Sequence, residues 1–281
     1  MSSKGERDQI RDDARAYELT LPAVRRKELG QYFTGVPLGK VLAHLALDET
    51  TRTILDPMAG HGDLLDAVWE AATERRLRIE RLDGIEVDPA TANLARDRLV
   101  RLSRSNRAPV RTILEGDAFT LSTLEMLPER RYDLVIANPP YVRYQSRGAK
   151  GGSDPVRRGL RQIVAREGGA AGEVWGELAR RYSGLADLSI PAWLLAAAMV
   201  KSGGRLALVV PATWRSRNYA DVVRYLILRC FDVEYIVEDQ QPGWFSDALV
   251  RAHLIVARRL DPVALQSPLM ARAAFPSARW V

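Results

Sequence analysis

The ten residues ILDPMAGHGD, from Ile54 to Asp63, decide how the rest of the chain is read. They follow a short β-favouring run and open a helix. Glycines at 60 and 62 let the backbone turn tightly and approach a ligand with no Cβ in the way. A GxG alone is common at strand-to-helix turns, so its surroundings matter. Asp56 ends the first strand, and a second strand, LDGIE at 82–86, ends in a carboxylate about 30 residues later. In dinucleotide-binding folds such a carboxylate grips the ribose hydroxyls, because an ionised acceptor can take two O–H donors at once. Glu86 fits that role. A pyrophosphate site does not fit, since neither the third glycine of GxGxxG nor a GxxxxGKS/T loop is present. The turn therefore suits a nucleoside cofactor without phosphates.

Outward from this unit, β-rich runs alternate with helical patterns, the signature of a parallel sheet covered by helices. Strands are expected at Arg52–Asp56, Arg81–Glu86, Val110–Glu115, Tyr132–Ala137, Arg205–Val210, Val233–Val237 and Ala252–Ala257. Helices are expected near Asp63–Arg75, Pro89–Ser103, Ser122–Leu127, Leu188–Lys201 and Tyr219–Arg229. The expected fold class is α/β: a seven-stranded, mostly parallel, doubly wound sheet with helices on both faces.

Two regions break the rhythm. Residues 1–29 read as a charged helical arm with no core of its own. Residues 142–184 form a long insertion between the fourth and fifth strands, with nine Arg or Lys against four acids. Loops of that length inside a compact domain are usually functional or mobile. A basic, partly helical flap over a cleft and a solvated insertion both fit. The main domain is expected over 30–260, and 261–281 is expected to be a tail that serves as a linker or a docking arm.

Composition narrows the function classes. The chain of 281 residues is 47% hydrophobic and 27% charged, which suits a globular domain. No stretch reaches the roughly 18 to 20 apolar residues of a membrane span. The polar start lacks the apolar centre of a signal peptide, so a cytoplasmic location is expected. One cysteine and three scattered histidines make neither a disulfide nor a metal cluster. A formal charge of +6 and a pI near 9.6 suit a polyanionic partner, although the arginine bias also fits a GC-rich genome.

A third strand runs into EGDAF at 115–119, and a fourth runs into Asn138-Pro139-Pro140-Tyr141. Consecutive prolines lock φ twice and remove two backbone donors, leaving carbonyls aimed outward. The Asn138 side-chain oxygen and the Pro139 carbonyl make a rigid acceptor pair suited to a planar NH2 group. Such a nitrogen, on adenine or on a primary amide, is a poor nucleophile. Two hydrogen bonds accepted from its protons favour the pyramidal, more nucleophilic form, so positioning and electrostatics suffice without a strong base.

With these motifs in order, the chain resembles the amino-methyltransferases of DNA, specifically the gamma-ordered N6-adenine enzymes of restriction-modification and phage-defence systems. The resemblance rests on GQYFT at 30–34, DPMAGHG at 56–62, GIEVDP at 84–89, GDAF at 116–119, Asn138 to Tyr141, and GGRLALVVPATW at 203–214. It implies the Rossmann-like class I methyltransferase fold, S-adenosyl-L-methionine as cofactor, and double-stranded DNA as substrate. It implies that Phe33 and Thr34 flank the methionine moiety and that Asp56, Pro57, Met58, Ala59, Gly60 and Gly62 line it. By the same resemblance Glu86 holds the ribose, Asp117 accepts from the adenine amino group of the cofactor, and Val87 and Ala118 pack on that ring. Asn138, Pro139 and Pro140 form the loop that holds the target amine, Tyr141 stacks on a base swung out of the duplex, and Phe245 closes its other face.

Departures matter too. Family members that recognise DNA alone carry a separate target-recognition domain after the catalytic one, and none is evident here. Sequence reading is therefore expected from a partner subunit or another domain. Two rivals remain. The glutamine methyltransferases of translation release factors use the same tetrapeptide, but the segment 30–34, the Asp56-Pro57 start and the Arg-rich insertion speak against them. A non-catalytic cofactor-binding subunit of a DNA-defence complex would have no need of Asn138.

Overall fold

The computed structural model describes residues 36–101, 108–141, 154–166, 175–177, 179, 188–238, 251–260 and 279–280. Within them the chain forms β1 (Thr53–Asp56), β2 (Arg81–Glu86), β3 (Val110–Glu115), β4 (Tyr132–Ala137), β5 (Val200–Pro211), β6 (Phe231–Glu238), β7 (Ala252–Arg259) and β8 (Arg279–Trp280). The helices are α1 (Val36–Ala46), α2 (Asp63–Glu74), α3 (Pro89–Arg101), α4 (Leu121–Glu125), α5 (Asp154–Val164), α6 (Ser189–Ala198) and α7 (Asp221–Cys230).

The strands join in one sheet of order β3-β2-β1-β4-β5-β7-β6-β8. Strands β1 to β5 run parallel, β7 runs against both β5 and β6, and β8 lies parallel to β6. Central parallel strands are covered on both faces, which is why TILD and YDLVIA are nearly unbroken apolar runs. One face packs against α5, α6 and α7 around Leu160, Trp193 and Leu226. The other packs against α1, α2 and α3 around Leu42, Leu65 and Leu99. The seven expected strands and the helices on both faces are all present.

Order reverses between β1 and β4. The chain winds outward through β2 and β3, then returns to pair β4 with β1, and in open α/β sheets such a reversal is where ligands bind, beyond the carboxyl ends of the two strands. Buried polar contacts brace this centre. The Tyr132 hydroxyl donates to Asp83 Oδ2 at 2.7 Å and so ties β4 to β2 across β1. Lys201 Nζ donates to Asp133 Oδ1 at 2.9 Å, and the other carboxylate oxygen of Asp133 accepts the Thr53 amide at 2.8 Å.

Four features differ from expectation. Strand β5 begins at Val200 rather than Arg205, because a bulge passes through Gly203 at φ 75°. Helix α1 is additional, and Gly39 lets it approach α2 so closely that a Cβ there would lie 3.0 Å from Ala67 Cβ. Helix α5 belongs to the 142–184 insertion, yet it is a core helix: Val156, Leu160, Ile163 and Val164 are buried, while Arg158, Arg161 and Arg166 face outward. Finally, the tail returns to the sheet as β8 beside β6. The expected N-terminal arm, 1–29, and residues 261–278 lie outside the described residues. Among the described residues no helix is long and apolar enough to cross a membrane.

Candidate active site

The turn after β1 is held by backbone and side chain together. The Ala59 amide donates to the Ile85 carbonyl at 2.8 Å, and Gly60 N–H donates to Glu86 Oε2 at 2.9 Å. Gly60 and Gly62 have φ 52° and 81°, values that favour glycine, and Gly62 hands the chain to α2. Gly84 in β2 serves a different need. A Cβ there would lie 2.9 Å from Ala59 Cβ and 2.7 Å from Ile113 Cδ1, so its absence lets the turn lie against β2.

Glu86 sits at the tip of β2, 8% exposed, with its second oxygen accepting the Asp88 amide at 2.9 Å. Burial raises its pKa, opposed by these two N–H donors. The carboxylate keeps lone pairs for further donors, as a pair of hydroxyls would need. Next to it Val87 is 46% exposed, an open apolar surface suited to one face of a planar ring. At the tip of β3 the Asp117 carboxylate accepts the Phe119 amide at 2.9 Å, which shapes the loop and buries Ala118.

Asp56 is the most perturbed acid of the site. It is wholly buried, and the loss of solvation pushes its pKa up to about 8, with Glu86 and Asp63 adding repulsion. Only the Met58 amide, 3.0 Å from Oδ1, works against this. A cationic ligand group beside it would restore the ionised form.

Below the turn lies a clasp that the sequence reading missed. Arg98 of α3, 2% exposed, pairs with Asp63 and, through Nε at 3.1 Å, with Asp66 of α2. Its Nη1 also lies 3.4 Å from the His61 carbonyl. Burial holds the His61 imidazole neutral, with a pKa of about 4. The available signal was two acids one helical turn apart on an otherwise apolar stretch, with no nearby cation in sequence.

The tip of β4 carries Asn138 to Tyr141, with Pro139 buried and the other three half-buried. The Tyr141 hydroxyl lies 2.8 Å from Asn138 Oδ1 and 2.9 Å from the Val209 carbonyl of β5. Because β1 and β4 are adjacent, this tip stands beside the glycine turn, at the same edge as Glu86 and Asp117. Fourteen of the expected site residues are thus gathered at the carboxyl ends of four neighbouring strands. Phe33, Thr34 and Phe245 lie outside the described residues.

This arrangement is the class I methyltransferase fold, and the solved structures agree. A Listeria monocytogenes protein assigned to the class I S-adenosylmethionine-dependent methyltransferases superposes with TM-score 0.64 at 16% identity, covering 94% of this chain and 76% of that one. The methyltransferase subunit of a type I restriction-modification system from Streptococcus thermophilus gives TM-score 0.60 at 18% identity, over 83% of this chain and 46% of that one. Residues 9–160, more than half of the chain, match the sequence profile of the N-6 DNA Methylase family, and the chain belongs to that family. Type II methyltransferase M.BanIII of Aneurinibacillus aneurinilyticus is 24% identical over 267 residues, 87% of this chain and 41% of that protein. M.XamI of Xanthomonas campestris pv. amaranthicola is 26% identical over 205 residues, 73% of this chain and 34% of that protein. The chain spans about two fifths of the length of the first two curated relatives it matches.

Proposed function

We propose that the chain is an S-adenosyl-L-methionine-dependent methyltransferase domain acting on the N6 amino group of adenine in double-stranded DNA, with target reading supplied by another domain or a partner subunit. The observation that carries this reading is the adjacency of β1 and β4, which sets a glycine turn built for a nucleoside beside a rigid amide-and-carbonyl acceptor tip. Membership of the N-6 DNA Methylase family supports it.

In this reading Phe33, Thr34, Asp56 and the turn from Pro57 to Gly62 surround the methionine moiety, and Glu86 takes the ribose hydroxyls. Val87, Asp117 and Ala118 hold the adenine ring. When bound, the cofactor supplies a methyl group on a sulfonium, an electrophile that carries its own leaving group. Asn138 Oδ1 and the Pro139 carbonyl accept the two amino protons of the target and turn its lone pair outward. Pro139 and Pro140 hold these acceptors stiffly, Tyr141 stacks on the flipped base, and Phe245 closes the opposite face.

The test is methyl incorporation from labelled cofactor into duplex DNA and, in parallel, into a translation release factor. DNA alone should be labelled. Asn138→Ala should abolish labelling while affinity for S-adenosylhomocysteine stays within about threefold, because the residue positions the target and not the cofactor. Undiminished labelling by that variant, or labelling of the release factor instead, rules the reading out.

A further inference from the structure

The Tyr141 hydroxyl faces two acceptors, Asn138 Oδ1 at 2.8 Å and the Val209 carbonyl at 2.9 Å. A phenol has one proton to donate, so it can satisfy only one of the two at a time. The acceptors differ in duty. Val209 is a β5 residue buried in the sheet, and its carbonyl is a fixed point of the backbone. Asn138 Oδ1 is the oxygen that, in the reading above, takes a proton of the target amine.

We propose that the Tyr141 hydroxyl is a switchable cover for the catalytic acceptor, donating to Asn138 Oδ1 when no base is present and to the Val209 carbonyl when the target amino group arrives. This rests on the assignment of Asn138 to the target amine. The proton stays on the phenol oxygen throughout and only the O–H bond rotates. No heavy atom moves, because both acceptors already lie within hydrogen-bonding distance of the same oxygen. The acceptor pair is therefore preorganised before the base enters, as catalysis by electrostatic positioning requires.

The switch also gives the tyrosine ring and its hydroxyl separate tasks. The ring meets any base by stacking. The hydroxyl sets the fate of a base that lacks the exocyclic amine, since it then stays on Asn138 and keeps that oxygen satisfied. Without the hydroxyl, an amine-free base would shut water out and leave Asn138 Oδ1 buried with one donor fewer. An adenine would replace the missing donor with its own.

The experiment measures binding of three thymine oligonucleotides to the full chain in the presence of S-adenosylhomocysteine: one unsubstituted, one carrying a single adenine and one carrying a single purine. Tyr141→Phe keeps the ring and removes the hydroxyl. It should weaken the purine oligonucleotide about tenfold, the cost of taking one donor from a buried acceptor, and leave the adenine one within about threefold. Tyr141→Ala loses the stacking ring as well, so it should weaken both, and the adenine oligonucleotide by more than Tyr141→Phe does. Equal losses for the adenine and purine oligonucleotides in Tyr141→Phe overturn the switch, as does a wild-type chain that does not distinguish adenine from unsubstituted thymine. Absence of methyl transfer to DNA by the wild type when its target-reading domain or partner subunit is supplied would instead overturn the proposed function, since the binding ratio is read without turnover.

Discussion

The Glu86 carboxylate accepts the amide proton of Gly60 at 2.9 Å, so one side chain fixes the tip of β2 against the turn after β1. Its other oxygen accepts the Asp88 amide, and the two bonds leave the carboxylate a defined plane. Glu86→Gln turns one of these acceptors into an NH2 that faces an N–H. Affinity for S-adenosylhomocysteine should then fall by roughly 10- to 100-fold, the range for hydrogen bonds to a charged group. Calorimetric titration measures it, and a change of less than threefold would remove Glu86 from the ribose site.

Arg98 neutralises two carboxylates under the glycine turn. Arg98→Met leaves Asp63 and Asp66 without their cation, so unfolding free energy should drop by about 3 kcal/mol. Arg98→Lys restores charge but not the forked contact, and it should recover only part of the loss. Denaturant titration of both variants checks this order, and equal stability of the methionine variant and the wild type would mean the clasp contributes nothing net.

The Asp56 carboxyl ionises only near pH 8 in the folded chain, against 3.8 for an unperturbed aspartate. A folded pKa above the unfolded one means that its contribution to stability is full below the lower value and is lost as pH climbs to the higher. Free chain should therefore become less stable between pH 4 and 8 by this group, and Asp56→Asn should flatten that slope. If the ammonium of the methionine moiety lies beside Asp56, binding of S-adenosylhomocysteine at pH 7 releases about one proton. Calorimetry in buffers of different ionisation enthalpy reads that number directly, and a heat independent of buffer would contradict it.

Gly159 in α5 lies so close to the loop after β3 that a Cβ would stand 1.8 Å from the Phe119 carbonyl. Alanine usually stabilises a helix interior by about 1 kcal/mol over glycine. Here Gly159→Ala should destabilise by about 2 kcal/mol or more, because the helix must lift off the loop. Since Asp117 shapes that loop, cofactor affinity should drop as well. Thermal unfolding with and without S-adenosylhomocysteine would show both effects, and a gain in stability would refute the contact.

Much of the fold, and the gathering of the candidate site residues at one edge of the sheet, was legible in the sequence because strand tips and turns carry local chemistry. Gly60 and Gly62 are needed for their backbone angles, Glu86 ends its strand, and the paired prolines announce the β4 tip. Helix α5 was harder to read. Its apolar positions Val156, Leu160, Ile163 and Val164 are interleaved with Arg157, Arg158, Arg161 and a glycine, which read as a basic insertion. The Arg98 clasp and the Asp83–Tyr132 bond join residues 32 and 49 positions apart, and spacing alone does not pair them. The Val209 carbonyl had no side-chain signal at all, because every residue carries one. Strand β8 is two residues long and far from its partner in sequence, below what alternation can reveal.

Strand β7 enters the sheet where β5 leaves it, since Ala252 pairs with Pro211. The connection from Glu238 to Arg251 therefore begins and ends on the rim that carries Asn138. A longer, shorter or exchanged segment at that place leaves every ladder of the sheet in register. Because β7 runs against both its neighbours, the pairing within the sheet is independent of how long that segment is.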